Sequence, residues 1–177
     1  MTITTTMYDN VTKIIVDSTQ EIFATMIPME IKAGDSFYQK EENITTDLIS
    51  LISFAGEHSG IIALFCNKSI ALKITSNMLG MDVTELDQET KDAIGEVTNM
   101  IAGNLKNRVC ENLGSMHISV PVVIGGASLT ISSTCKTHAE ISLPSAVTCN
   151  SQSTWVMLPF SSEGETFNVG LIIKKND

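Results

Sequence analysis

A chain of 177 residues with 43% apolar content is long enough to bury one sizeable core and too short to suggest two, so a single domain over residues 1–177 is expected. The net charge of −9, without any cluster of lysine or arginine, argues against a nucleic-acid binder or an anionic-membrane binder, because both depend on a basic patch. A protein or a small molecule is the better class of partner.

Residues 1–8 are threonine-rich and read as frayed, with neither the basic nor the apolar region of an export signal. Asp9 or Asn10 is then placed to cap a helix running to about Met26, with Val11, Ile14, Ile15, Ile22 and Met26 as its apolar stripe and Pro28 as its stop. The polar stretch from Glu30 to Asn43 reads as a solvated loop or a weak edge strand. Asp47 to Ala55 and Ser59 to Asn67 are β-rich runs around Gly56, Glu57 and His58, which is a hairpin arrangement. Gly60 to Cys66, the longest apolar run, falls far short of the about 20 residues that span a bilayer. Helical spacing returns over Lys68 to Leu79, where Ile70, Ile74 and Met78 recur and Gly80 closes the pattern.

Asp87 to Gly114 is the longest helical pattern in the chain. Asp87 is a good N-cap, Glu89 adds negative charge to the first turn, and Gly114 supplies the stop. At about 100° per residue, Ile94, Val97, Ile101 and Leu105 gather on one side, while Asp92, Glu96, Asn99, Gly103 and Lys106 gather roughly opposite. A glycine inside a helix costs roughly 1 kcal/mol relative to alanine, so Gly103 asks for a reason, such as another backbone coming close.

Beyond Gly114 the chain turns β-branched and turn-rich: Ser119 to Ile124 broken by Pro121, then Gly125-Gly126, then short runs at Ser128 to Ser132 and Ala146 to Cys149. A turn or bulge is the default for the glycine pair. Thr154 to Phe160 and Phe167 to Lys174 flank the turn Ser-Ser-Glu-Gly-Glu and form the clearest hairpin. The layout implies an α+β fold, an antiparallel-rich sheet with long helices packed on one face. Aligning Val16 to Met26 with Gly95 to Leu105 sets Asp17 against Glu96, Gln20 against Asn99 and Ala24 against Gly103. A duplicated half-domain would produce these matches, and so would coincidence.

Most chemistry-bearing residues have bland readings. His58, His117 and His138 lack ligand spacing, Ser128 lacks the frame of a nucleophile elbow, and no metal site is suggested. Cys66, Cys110, Cys135 and Cys149 are scattered without a paired motif, which fits free thiols in a reducing cytoplasm. A Glu and an Asn three residues apart on a helix are likewise common on solvated faces.

The extended pattern is more specific: Asp92, Glu96, Asn99, Gly103 and Asn104, with Pro121 downstream and a glycine pair after it. It resembles the CheC/CheX/FliY phosphatases of bacterial chemotaxis, and chain length with one good motif looks most like the CheX branch. The resemblance implies hydrolysis of the aspartyl phosphate on a CheY-like response-regulator receiver in two-component signalling. It implies that the Asn99 carboxamide holds a water in line with phosphorus and that Glu96 pairs with the receiver's active-site lysine. Asp92, Gly103 and Asn104 would contact the receiver. The resemblance implies no cofactor of its own, Mg²⁺ being supplied in the receiver active site, and a cytoplasmic homodimer offering an edge strand.

That division of labour is physically sound. An acyl phosphate is already activated, so positioning a water accelerates its hydrolysis without a new nucleophile. A carboxamide donates and accepts at once and stays neutral beside a phosphoryl group. The rival readings are a non-catalytic receiver-binding or flagellar-switch adaptor that uses the same helix, and a small-ligand-binding domain.

Overall fold

The computed structural model describes residues 5–40, 44–131 and 154–175. Three helices, α1 (Thr5–Thr25), α2 (Lys68–Leu79) and α3 (Gln88–Leu113), lie against a sheet of eight strands among the described residues. The strands are β1 (Lys32–Ala33), β2 (Phe37–Lys40), β3 (Ile44–Gly56), β4 (His58–Cys66), β5 (Met116–Ile118), β6 (Val122–Ile131), β7 (Thr154–Ser162) and β8 (Glu165–Lys175). All pairings are antiparallel.

Local sequence sets most of these limits. Asn67 caps α2 by accepting from the Ile70 amide at 2.9 Å, and Gly80 ends it in the left-handed region at φ 68°. Asp87 caps α3 by accepting from the Thr90 amide at 3.0 Å, and Gly114 follows its end at φ 76°. The β7–β8 turn is Glu163-Gly164, both at positive φ (48° and 84°), which matches the right-handed twist of a two-residue hairpin. α1 begins at Thr5, upstream of the expected cap at Asp9 or Asn10. Extending a helix past a cap candidate costs little where no proline or glycine interrupts it, and residues 5–8 hold neither. The stretch after Glu30 holds the weak edge strands β1 and β2, both on β7. The Ala146 to Cys149 run and His138 lie outside the described residues.

The helices cover one face of the sheet. Ile15, Ile22 and Phe23 of α1 and Ile94, Val97 and Ile101 of α3 are buried against Leu48, Ile52, Ile62, Leu64, Val169 and Leu171. Each such side chain contributes about 1.5–3 kcal/mol on burial. Phe167 of β8 stacks between Phe23 and Phe160, with ring centroids 5.2 Å from each, and so ties α1 to the last hairpin. The opposite face carries a smaller apolar cluster around Ile49, Ala63, Phe65 and Trp155.

The strand order is symmetric. β4 and β8 form the centre, β3 and β7 flank them, β1 and β2 lie on β7, and β5 and β6 lie on β3. The unit α1-β1-β2-β3-β4 thus recurs as α3-β5-β6-β7-β8, each half lending its first two strands to the other half's hairpin. This is the arrangement a duplicated half-domain produces.

Candidate functional site

The candidate site is the free face of α3. At about 100° per residue, Asp92, Glu96, Asn99 and Gly103 fall within an arc of about 60°, opposite the buried stripe. Asp92 and Glu96 are exposed, and Asn99 and Gly103 are half-buried. Asp92 accepts a hydrogen bond from the Gln88 carboxamide at 2.7 Å, which orients it along the first turn. Glu96 and Asn99 make no hydrogen bond or ion pair among the described residues, so a carboxylate and a carboxamide stand one turn apart with their polar atoms available. Asn104 lies about 100° round the helix from Gly103 and is half-buried, away from this stripe.

The two glycines of α3 behave oppositely. Among the described residues, a Cβ on Gly103 would meet nothing within 4 Å, so no described segment supplies the expected internal reason. The close approach is at Gly95, where a Cβ would stand 3.2 Å from Val123 Cγ2 and 3.7 Å from Pro121 Cγ. Pro121 and Val123 therefore buttress the helix beside Glu96. Gly95 was missed in the sequence reading; its available signal was a glycine next to Ile94 on the flank of the buried stripe. Lys91 was missed as well: its Cε lies 3.2 Å from where a Cβ on Gly125 would be, so the aliphatic chain crosses β6 at a glycine.

The glycine pair lies within β6. Leu48 pairs with Gly125 and Thr46 with Leu129, so β6 carries extra residues between Gly125 and Leu129, the expected bulge. Two fixed supports hold the other end of the layer. Asp47 accepts from the Lys68 amide at 2.8 Å, and Glu165 accepts from Ser69 at 2.8 Å and from Asn67 at 3.3 Å. These bonds hold the Glu165 carboxyl below its ordinary value, Ser69 contributing most, then Asn67, with the Lys73 charge adding to them. Burial pushes the Cys66 thiol up, so it is a packed side chain and not a nucleophile.

The remaining candidates are not brought together with α3's free face. His58 is buried on β4 and His117 is exposed on β5. Among the described residues, no group of three His, Cys, Asp or Glu is arranged to hold a metal ion. No helix among them is long and apolar enough to cross a membrane.

Residues 48–161 match the model of the chemotaxis phosphatase CheX family, a span that includes α3 and the Pro121 segment. The CheY-P phosphatase CheX of Thermotoga maritima is 31% identical over 121 residues, 67% of this chain and 77% of that protein. The structure of chemotaxis protein CheX from Vibrio vulnificus has a TM-score of 0.76 at 25% identity, covering 93% of this chain and 99% of that one. The same fold occurs in the CheX of a Borrelia burgdorferi CheX-CheY-BeF3-Mg²⁺ complex, with a TM-score of 0.68 at 22% identity over 92% of this chain and 97% of that one.

Proposed function

This chain belongs to the chemotaxis phosphatase CheX family, and on that footing we propose that it hydrolyses the aspartyl phosphate of a CheY-like receiver domain through the free face of α3. The observation that carries the reading is the combination of Glu96 and Asn99, unpartnered and one turn apart, with Gly103 bare of neighbours on the same stripe. A helix gives up about 1 kcal/mol at an interior glycine, and Gly103 recovers nothing from the described residues of its own chain. A partner surface that needs to come within a Cβ of the helix accounts for it.

In this reading Glu96 pairs with the receiver's active-site lysine and sets the depth and rotation of α3. Asn99, on the next turn, reaches the phosphoryl group. Its carbonyl oxygen accepts from the attacking water while its NH₂ donates to a phosphoryl oxygen, which holds the water in line. The nucleophile is the water, the bond broken joins phosphorus to the aspartyl oxygen, and the carboxylate leaves on the receiver. Asn99 itself gains and loses no proton. The Mg²⁺ of the reaction is the receiver's own. Asp92 contributes charge at the rim. Asn104, off the stripe, takes the peripheral contact.

A homodimer is part of the same proposal. β6 pairs only with β3 among the described residues and exposes Val122 and Ile124, and an edge strand with apolar side chains is a template for pairing. A cytoplasmic location follows from the substrate.

The test is phosphate release from phosphorylated receiver domains with the wild-type protein and Asn99→Ala. Loss of a positioned water costs about 100-fold or more, so Asn99→Ala is expected to fall to the receiver's own decay rate while still binding it. Receivers whose lifetimes are unchanged by wild-type protein, yet which bind it, would replace the enzyme by the adaptor reading.

A further inference from the structure

The segment that joins β5 to β6 carries a bulge beside α3. Ile118 pairs with Phe54 and Val122 with Leu51, so three residues, Ser119, Val120 and Pro121, face only Ile52 and Ser53 of β3. Ser119 takes Ser53: its amide donates to the Ser53 carbonyl at 2.9 Å, and its Oγ accepts from the Ser53 amide at 3.1 Å. Val120 and Pro121 are left opposite Ile52 alone. One extra residue of this kind re-aims the strand that carries it, and such bulges gather next to functional sites.

The bulge lies level with the turn of α3 that holds Asn99. Lys91 Cε lies 3.2 Å from where a Cβ on Gly125 would stand, and a Cβ on Gly95 would stand 3.2 Å from Val123 Cγ2 and 3.7 Å from Pro121 Cγ. Four residues of helix advance about 6 Å and two of strand about 6.8 Å, so each turn of α3 keeps pace with two residues of β6 running the other way. Asn99 is on the next turn. It comes level with Pro121 and Val120, and it is half-buried where Glu96 is exposed.

Val120 is 78% exposed, the most exposed of the large apolar side chains among the described residues. A single exposed valine ordinarily needs no explanation. This one is held still: Ser119 Oγ donates to its carbonyl at 2.9 Å, Pro121 restricts its backbone to extended values, and its branched side chain has few rotamers. The apolar surface is therefore presented with little entropy left to lose when something covers it.

We propose that Val120 is an apolar anchor for the phosphorylated receiver domain, seated against an apolar patch beside the receiver's phosphoryl pocket. The inference rests on the reading of α3 given above and adds a contact to the same interface. The occupant follows from continuity: a partner that brings its phosphoryl group to Asn99 lies over Val120 as well. Affinity calls for such a contact, because Asp92, Glu96, Asn99, Gly103 and Lys106 offer the receiver no apolar side chain. An exposed ion pair raises affinity by about fivefold at most, so Glu96 orients the receiver but holds it weakly. Burying a valine is worth about tenfold or more. Val122 and Ile124 do not serve here: Val123 turns towards α3, so strand alternation turns its two neighbours to the opposite face of the sheet. A charged group at the matching place on a receiver is rejected, which makes Val120 a determinant of which receivers are accepted.

The experiment is calorimetric titration with a CheY-like receiver held in its phosphorylated form by beryllofluoride and Mg²⁺, alongside phosphate release from the phosphoreceiver. Val120→Asp is expected to weaken binding about tenfold or more, Val120→Ala severalfold, and Val120→Ile not at all. In turnover the loss is expected as a raised KM, whereas Asn99→Ala lowers kcat. Circular dichroism checks that each variant is folded, and sedimentation checks its oligomeric state. Wild-type affinity in Val120→Asp and Val120→Ala, with Glu96→Lys still weakened, would overturn this inference and leave the α3 reading standing. A defect confined to self-association would also overturn it and assign Val120 to a second copy of the chain. A lowered kcat with unchanged KM would overturn it in favour of a purely structural role for the bulge. A wild-type protein that binds no phosphoreceiver, or binds one indifferently to both Glu96→Lys and Val120→Asp, would overturn the α3 reading and this inference together.

Discussion

Val123 Cγ2 lies 3.2 Å from where a Cβ on Gly95 would stand, while about two turns further along the same helix Gly103 has no such neighbour among the described residues. One glycine is explained by the fold and the other is not. That contrast separates what α3 owes to its own chain from what it keeps for a partner.

Gly103→Ala is expected to stabilise the fold. Helix propensity alone gives about 1 kcal/mol, which for a domain of this size raises Tm by about 2–4 °C. On the proposed function the same methyl group would stand in the approach path of the receiver, so phosphate release is expected to slow. Calorimetry and a phosphate-release assay on one preparation check both halves. A higher Tm with an unchanged rate would mean that no partner comes close at this position.

Gly95 behaves in the opposite sense. Gly95→Leu drives a side chain into Val123 and Pro121, and overpacking of this kind costs about 1–3 kcal/mol. Gly95→Ala is expected to be near neutral, since the gain in helix propensity is offset by moving Val123 a few tenths of an ångström. Denaturant unfolding of Gly95→Leu, Val123→Ala and the double variant measures the coupling. Additive losses would show that the contact does not constrain the helix.

Glu96→Lys leaves the fold intact, because Glu96 is exposed and bonds to nothing among the described residues. On the proposed function it reverses the charge offered to the receiver's lysine. Affinity at the α3 surface is expected to fall at least about tenfold, or about 1.4 kcal/mol, with a slower association rate and an altered salt dependence. An unchanged association rate at low salt would remove the assigned ion pair.

Glu165 gives a pH signature away from the site. Its folded pKa lies below the ordinary value of 4.5, because Ser69, then Asn67, donate to the carboxylate and Lys73 lies near. The unfolded chain therefore takes up its proton first as pH falls. The contribution is present in full above the ordinary value and is lost as pH drops through the lowered one. Melting curves of wild type and Glu165→Gln are expected to differ near neutral pH and to converge once pH has fallen below the lowered value. A difference that persists at low pH would assign the effect to packing.

The limits of α2 and α3 and the last hairpin were legible because their signals are local. Asn67, Gly80, Asp87 and Gly114 act within one helical turn, and Glu163-Gly164 sets its own turn. The face of α3 that carries Glu96 and Asn99 follows from its periodicity for the same reason. The start of α1 was less legible, since Asp9 has the form of a cap yet no proline or glycine precedes it to stop the helix extending upstream.

The sequence by itself determined which residues of α3 turn outward and the family that their spacing resembles. Only the tertiary structure decided that Gly95, and not Gly103, is the glycine another segment touches. It also decided that each half lends its first two strands to the other half's hairpin around a central β4–β8 pair. The reason is range. Capping, turns and helical periodicity depend on neighbours a few residues away, whereas the contact of Gly95 with Val123 and the pairing of β4 with β8 join segments far apart in the chain, whose meeting is set by how the whole sheet assembles.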